Sequence, residues 1–385
     1  MLVKKQVIDM EKLKLEKIIA FKNGKKKPNT EGDIPIYGGN GILGYTDQSN
    51  AENCVIVGRV GAYCGSVYYE PGQCWVSDNA IVAKSVNGSN INYIYYLLKN
   101  LKLNDHHIGS GQPLLTQGIL NSIESNVTLP ITQGKIAEVL RILDNKIKQN
   151  EKINNNLEQQ AQAIFKSWFV DFEPFGGVQP SEMQFIPLQE LCKVVTKGTT
   201  PTTLGKSFTS SGINFIKAES ILDDHSIDSS KFAFIDEETN ALLKRSVIKA
   251  NDIVFTIAGT LGRFAMVDNS VLPANTNQAV AIIRPDENKV TPAYLYSFFI
   301  GNWHNEYYSK RIQQAVQANL SLTTIKSLPI AVLNNTTMSN YDELVSPLFA
   351  LMKNNEEENR RLSKLRDTLL PKLMSGELDV SDIDL

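Results

Sequence analysis

The side chains in this sequence best suited to chemistry are forked donors and acceptors rather than nucleophiles. In the first half Lys22, Lys25, Lys26, Lys27, Arg59, Tyr63, Asn79 and Gln112 fall between short apolar runs, among Gly, Asn and Asp. The second half offers Lys197, Lys217, Arg263, Asn275, Asn277, Gln278, Gln314 and Gln317 at places that correspond. Arginine, asparagine and glutamine present pairs of groups that match the edges of guanine and adenine, and lysine suits phosphate. Any one of these residues could equally be a solvated loop side chain. Their recurrence as a set in both halves points to two surfaces that read nucleic acid.

Four strings invite an enzymatic reading and fail on context. Gly39, Gly41 and Gly44 satisfy a dinucleotide-type glycine pattern, but the turn-like residues after them open no helix toward a pyrophosphate. Gly205-Lys206-Ser207 resembles the end of a phosphate-binding loop, yet Thr200 stands where its first glycine belongs. Asp286, Glu287 and Lys289 lie in one loop, whereas metal-dependent cleavage needs carboxylates converging from separate elements. His106 and His107 have no cysteine or acidic pair nearby and read as an exposed loop. Cys54, Cys64, Cys74 and Cys192 form no CxxC pair and read as core thiols. No catalytic residue, metal site or cofactor of the chain's own is expected.

Composition sets wider bounds. A chain of 385 residues exceeds the usual single-domain size. Hydrophobic content of 42% and charged content of 21% suit ordinary cores, and no apolar run approaches a membrane span. The N-terminal segment lacks the uninterrupted apolar stretch of a secretory signal, so a cytoplasmic location is expected. A formal net charge of −2 argues against a protein that coats nucleic acid by charge alone.

Two long helices must position the candidate surfaces. From Gly134 to Phe169 the chain has no proline, and apolar residues recur in steps of four and three at Ile136, Leu140, Leu143, Ile147, Leu157, Ala161, Ile164 and Trp168. Asn150 and Asn154 fill the same register midway. A second segment from about 340 to 373 repeats the layout, with Leu344, Leu348, Leu351, then Asn355 and Glu358, then Leu362, Leu365 and Leu369. Laid antiparallel, the two would match apolar to apolar and polar waist to polar waist, the arrangement by which buried polar residues set coiled-coil register. A helix of about 35 residues spans roughly 50 Å, enough to separate DNA half-sites about one duplex turn apart.

The globular parts form a diverged repeat. Lys14 to Pro28 parallels Pro187 to Pro201, Val55 to Tyr69 parallels Val254 to Val267 through a shared Gly-x-x-Gly with an arginine, and Leu-Pro-Ile precedes each long helix. Extra loop in the second half falls within Asp223 to Arg245. Short strands with few helices make each half α+β. Expected boundaries are 1–131 for a first recognition domain, 132–171 for the central helix, 172–335 for a second recognition domain and 336–385 for the C-terminal helix.

At this point the chain resembles the specificity (S) subunits of type I restriction–modification enzymes. The most specific segments are LEQQAQAIFKSWFVDFEPF (Leu157 to Phe175) and RLSKLRDTLLPKLMSGELDV (Arg361 to Val380). The resemblance implies a non-catalytic, pseudo-two-fold chain in which each recognition domain reads one part of a split double-stranded DNA site. It also implies that the helices set the gap and bind two modification (methyltransferase) subunits, with restriction (translocase–nuclease) subunits completing the assembly. S-adenosylmethionine, ATP and Mg would then belong to those partners. The readings that compete with this one are a two-armed scaffold that binds polypeptides and an enzyme with a cofactor of its own.

Overall fold

A computed structural model describes residues 10–109, 111–303, 307, 320–380 and 383. The chain divides into two compact units, Met1–Asn150 with Glu357–Leu385, and Glu151–Glu356. Both are α+β, and each takes a portion of the central helix Pro130–Phe169 and of the C-terminal helix Asn335–Met374.

In the first unit a six-stranded sheet runs in the order Ile19–Asn23, Ala80–Ser85, Ala51–Gly58, Val67–Val76, Ile34–Gly38, Gly41–Thr46. Its pairings are antiparallel except where Ile36 and Tyr37 lie parallel to Trp75 and Val76. The strand Ala51–Gly58 shows why it sits centrally. Side chains of a strand alternate between faces, and here both faces are apolar. Val55 and Val57 join Ile81, Ala83, Ile94 and Leu97 in one cluster, while Cys54 and Ile56 join Tyr37, Cys74 and Val82 in another. Ile94 and Leu97 come from the helix Ile91–Asn100, whose first turn is capped by the Asn90 side chain accepting from Asn92 and Tyr93 N–H at 2.9 and 3.1 Å. A separate ribbon pairs Met10–Lys14 with Glu124–Thr128.

The second unit repeats this plan. Cys192–Lys197, Val280–Pro285, Ile253–Thr256 and Phe264–Met266 form a four-stranded sheet in that order. Ile213–Ile216 lies parallel to Ala274–Thr276, Pro292–Ile300 takes the place of the first unit's helix, and Gln184–Pro187 pairs with Pro329–Val332. The extra length between Asp223 and Arg245 is not plain loop. It holds the strand Ala233–Ile235, which pairs with Ile213–Phe215, and the helix Glu237–Leu242.

The long helices depart from the expected seams. Asp144 faces Arg366 and Asn150 faces Glu358 in the first unit, and Asn154 faces Asn355 and Phe165 faces Tyr341 in the second, so within each unit the two segments run antiparallel. Ile136, Leu140, Leu157 and Ala161 are buried as expected. Beyond Ala161, Phe165 and Phe169 carry the seam, and Ile164 and Trp168 are only partly buried beside them. In the C-terminal helix Leu344, Leu351 and Leu365 are 48, 44 and 47% exposed, while Tyr341, Val345, Phe349 and Met352 are buried. A strict heptad drifts by about 20° per repeat relative to a straight 3.6-residue helix, and a helix packed on a globular core buries a wider stripe than a coiled-coil seam. One sequence parallel also shifts. The first Leu-Pro-Ile starts the central helix at Pro130, where proline suits the first helical position, whereas the second opens the strand Pro329–Val332.

Candidate nucleic-acid interface

In the first unit the strand ends collect most of the candidate residues. Arg59 N–H donates to the Asn79 carbonyl at 2.9 Å, and the Arg59 carbonyl accepts from Leu115 N–H at 2.9 Å. Gly61 N–H donates to Pro113 at 3.0 Å, which brings the Gln112 turn beside the same loop. Lys25 N–H donates to Val76 at 2.9 Å, so the lysine run starts alongside Ser77 to Asn79. Gly39 forms the floor: a Cβ there would lie 3.6 Å from both the Asn79 carbonyl and Tyr63 Cβ, and 3.7 Å from Gly58 Cα. Lys27 Nζ stands 3.5 Å from where a Cβ of Gly44 would be. Lys25, Lys26, Lys27, Asn79 and Gln112 are exposed, and Tyr63 is 57% exposed. Lys22 is exposed but sits within the edge strand Ile19–Asn23 rather than in a loop.

The second unit treats its candidates less evenly. Gly198 N–H donates to the Asn277 carbonyl at 3.1 Å, and Thr200 Oγ1 donates to Gln278 Oε1 at 2.5 Å, so Lys197, Asn277 and Gln278 belong to one cluster. Thr199, Thr200 and Arg245 join it, the last donating to Thr199 Oγ1 at 3.3 Å and to the Lys197 carbonyl at 3.4 Å. None of these three carries a sequence signal apart from polarity. Lys217 pairs with Glu219 at 2.9 Å. Arg263 is held by Asp223 through two 2.6 Å bonds. Asn275 is fully buried, donating to Asn240 at 2.9 Å and accepting from Ser246 at 2.8 Å, which leaves it no edge to offer a base. A polar side chain buried with its hydrogen bonds met is part of the core's framework. Gln314 and Gln317 lie outside the described residues.

Hydrogen bonding also corrects the arginine parallel. Gly58 N–H and Thr256 N–H make the same bond, to Ser66 and Arg263 carbonyls respectively, and Gly65 and Gly262 both donate back to those strand ends. Arg263 thus occupies the place of Ser66. Arg59, which bonds to Asn79 as Ile257 does to Ala279, corresponds to buried Ile257. The shared glycines and arginine are a coincidence of spacing.

Gly39 to Gly44 spans a hairpin between strands, His106 and His107 are exposed, and Asp286 closes a turn after its strand with Lys193 3.7 Å away. Burial pushes the Cys192 thiol up to about 12 and the Cys64 thiol upward as well, away from the reactive thiolate. Among the described residues no group of three His, Cys, Asp or Glu is arranged to hold a metal ion, and no helix is long and apolar enough to cross a membrane.

Residues 8–159 and 180–333 each match the type I restriction modification DNA specificity domain. The MjaIX specificity subunit of Methanocaldococcus jannaschii is 27% identical over 310 residues, covering 76% of this chain and 70% of that protein. The HindI specificity subunit of Haemophilus influenzae is 25% identical over 339 residues, covering 69% and 71%. In fold, the S subunit of a type I restriction–modification system from M. genitalium superposes with a TM-score of 0.63 at 18% identity, over 97% of this chain and 98% of that one. With two matched domains spanning most of its length, the chain belongs to the type I restriction–modification specificity subunit family.

Proposed function

We propose that each unit reads one half of a bipartite double-stranded DNA site, and that the long helices set the unread gap and dock two modification subunits. The observation that carries the reading is the first unit's strand-end cluster, where exposed lysines, Asn79, Gln112 and Tyr63 gather around Arg59 and two glycines. Phosphate donors around forked base readers are the division of labour expected at a duplex. In this reading residues 1–131 and 172–335 are the recognition domains, while 132–171 and 336–385 are the spacer. The exposed apolar residues Ile142, Ile153, Leu344, Leu351 and Leu365 on the helices supply surface for the modification subunits.

The chain acts without catalysis of its own in this proposal. S-adenosylmethionine belongs to the modification subunits, and ATP with Mg to restriction subunits. The net charge of −2 goes with modest DNA affinity for the isolated chain. Methylation mapping in a strain with and without this chain is the direct test: a split methylated sequence should vanish with the gene. Inserting a heptad into both helices should lengthen the unread gap. An unchanged gap would remove the spacer role, and nanomolar binding by the isolated chain at physiological salt would remove the dependence on partners.

A further inference from the structure

We infer that Arg59 is the first unit's reader of a guanine, an assignment that rests on the DNA-recognition reading and makes it specific. Among the described residues Arg59 is the arginine whose guanidinium has no acceptor. Arg263 is tied to Asp223, Arg284 to buried Asp252, Arg366 to Asp144 and Asp367, Arg141 to Glu138, Arg361 to Glu357, and Arg245 to Thr199; Arg360 is partnered too. Arg59 Nε is buried with no hydrogen-bond partner, and neither terminal nitrogen bonds to a described residue.

The main chain beneath it is fixed. Its N–H and carbonyl are held by Asn79 and Leu115 at 2.9 Å each, and the carbonyl also accepts from Cys64 Sγ at 3.3 Å. A clamped backbone under an uncommitted guanidinium is a pre-organised donor, because leaving a buried N–H unmatched costs free energy that a ligand acceptor would return.

The chemistry selects guanine. Only guanine shows two acceptors, O6 and N7, on one major-groove edge, and arginine meets both with parallel donors. Adenine would set one of those donors against its own amino group. Phosphate is the rival ligand for a cation, but Lys25, Lys26 and Lys27 already stand exposed beside the site to take it. Because Ile257 fills the equivalent position, the second unit has no such reader there.

The test uses the full chain assembled with its modification subunits, methylating or binding a duplex library randomised at each half-site. The expected wild-type site contains a guanine in one half that Arg59→Ala no longer selects, with preference at that position falling by about ten- to a hundredfold. Preferences in the other half should stay as they are. Arg59→Lys should keep overall affinity and lose the same discrimination, and it serves in place of Arg59→Ala if that variant fails to fold. Uniform weakening on all sequences would mark a phosphate contact and overturn the assignment. So would unchanged preferences, or a change at a position that is not guanine. A wild-type complex with no sequence preference would instead sink the DNA-recognition reading itself.

Discussion

Asn355 donates its side-chain amide to Asn154 Oδ1 at 2.7 Å, and Asn154 in turn donates to the Met352 carbonyl at 3.1 Å. In the first unit Asn150, fully buried, donates to Glu358 Oε2 at 2.7 Å and to Asn359 Oδ1 at 2.8 Å. The Asn150 amide, with Lys146, holds the Glu358 carboxyl below its usual range. Along both segments, then, the polar waist is built from side chains that hydrogen-bond across the pair, although Asn150 Oδ1 itself is buried without a partner. Slipping either helix would bury those groups against apolar neighbours, which is how a few buried polar residues fix a register that leucines alone would leave loose.

A double-mutant cycle on Asn154 and Asn355 should expose this role. Asn154→Leu alone strands the Asn355 amide and should cost about 1–3 kcal/mol in urea denaturation of the full chain. Pairing it with Asn355→Leu should recover most of that loss, since replacing both partners by apolar groups can be nearly neutral. If the double variant loses the sum of the two single losses, the amides are not coupled.

Asp144 gives a sharper contrast between ion pairs. It accepts from Arg366 Nη1 at 2.7 Å and from the Tyr96 hydroxyl at 2.7 Å, and burial together with that bond pushes the Tyr96 phenol well above its usual range. Removing the shared acceptor leaves two donors unmatched, so Asp144→Ala should destabilise by about 1–3 kcal/mol. Glu138 pairs with Arg141 one turn along an exposed face, and Glu138→Ala should stay within about 0.5 kcal/mol. Equal losses for the two variants would show that the Asp144 network adds nothing beyond surface charge.

The sequence made the repeat, the two long helices and the α+β class readable because each depends on local periodicity and turn residues. It did not make side-chain commitment readable. Asn275 and Gln278 look alike as polar residues in a turn, yet one is sealed among Asn240 and Ser246 and the other is exposed. Arg59 and Arg263 share a glycine spacing, yet the acceptor that claims Arg263 is Asp223, forty positions away in the segment specific to the second unit. The buried stripe of the C-terminal helix departs from the leucine register for a related reason. Leu344 and Val345 are both apolar, and only the core beneath Tyr341, Val345 and Phe349 decides which of them turns inward.

Two glycines should respond to alanine with opposite signs. A Cβ on Gly198 would run into the Thr276 carbonyl and lie 2.8 Å from Asn277 N, so Gly198→Ala must push apart the loops that hold Gln278 and Thr200. A loss of about 1–3 kcal/mol is expected, as for other overpacked sites. Gly134 lies near the start of the central helix with open space around its Cβ position, and Gly134→Ala should stabilise by about 0.5–1 kcal/mol. Thermal unfolding of both variants decides it. A Gly198→Ala protein as stable as the parent would mean that the approach of these loops is soft.

His225 should make the second unit acid-sensitive. Its ring stacks on Phe264 at 4.1 Å, and Nε2 lies 3.9 Å from Glu158 Oε1 on the central helix, with Asp223 and Asp224 in its own loop. Burial holds the imidazole below its ordinary range, and burial followed by Asp224 pushes the Glu158 carboxyl above its own. For His225 the unfolded chain binds the proton first, so its contribution to stability falls as pH drops below about 6.5. Glu158 has the opposite slope: the folded state keeps its proton longer, so that contribution is present at low pH and is lost as pH rises above about 4.5. Comparing each variant with the parent separates the two. Relative to His225→Gln, the parent should lose stability between about pH 7 and pH 5.5. Relative to Glu158→Gln, it should lose stability on going from about pH 4.5 to pH 7. Urea denaturation of the full chain across this range reads both differences. A parent that gains stability over His225→Gln on acidification would mean that the imidazole folds charged, paired with Glu158, and the sign argued here would be reversed.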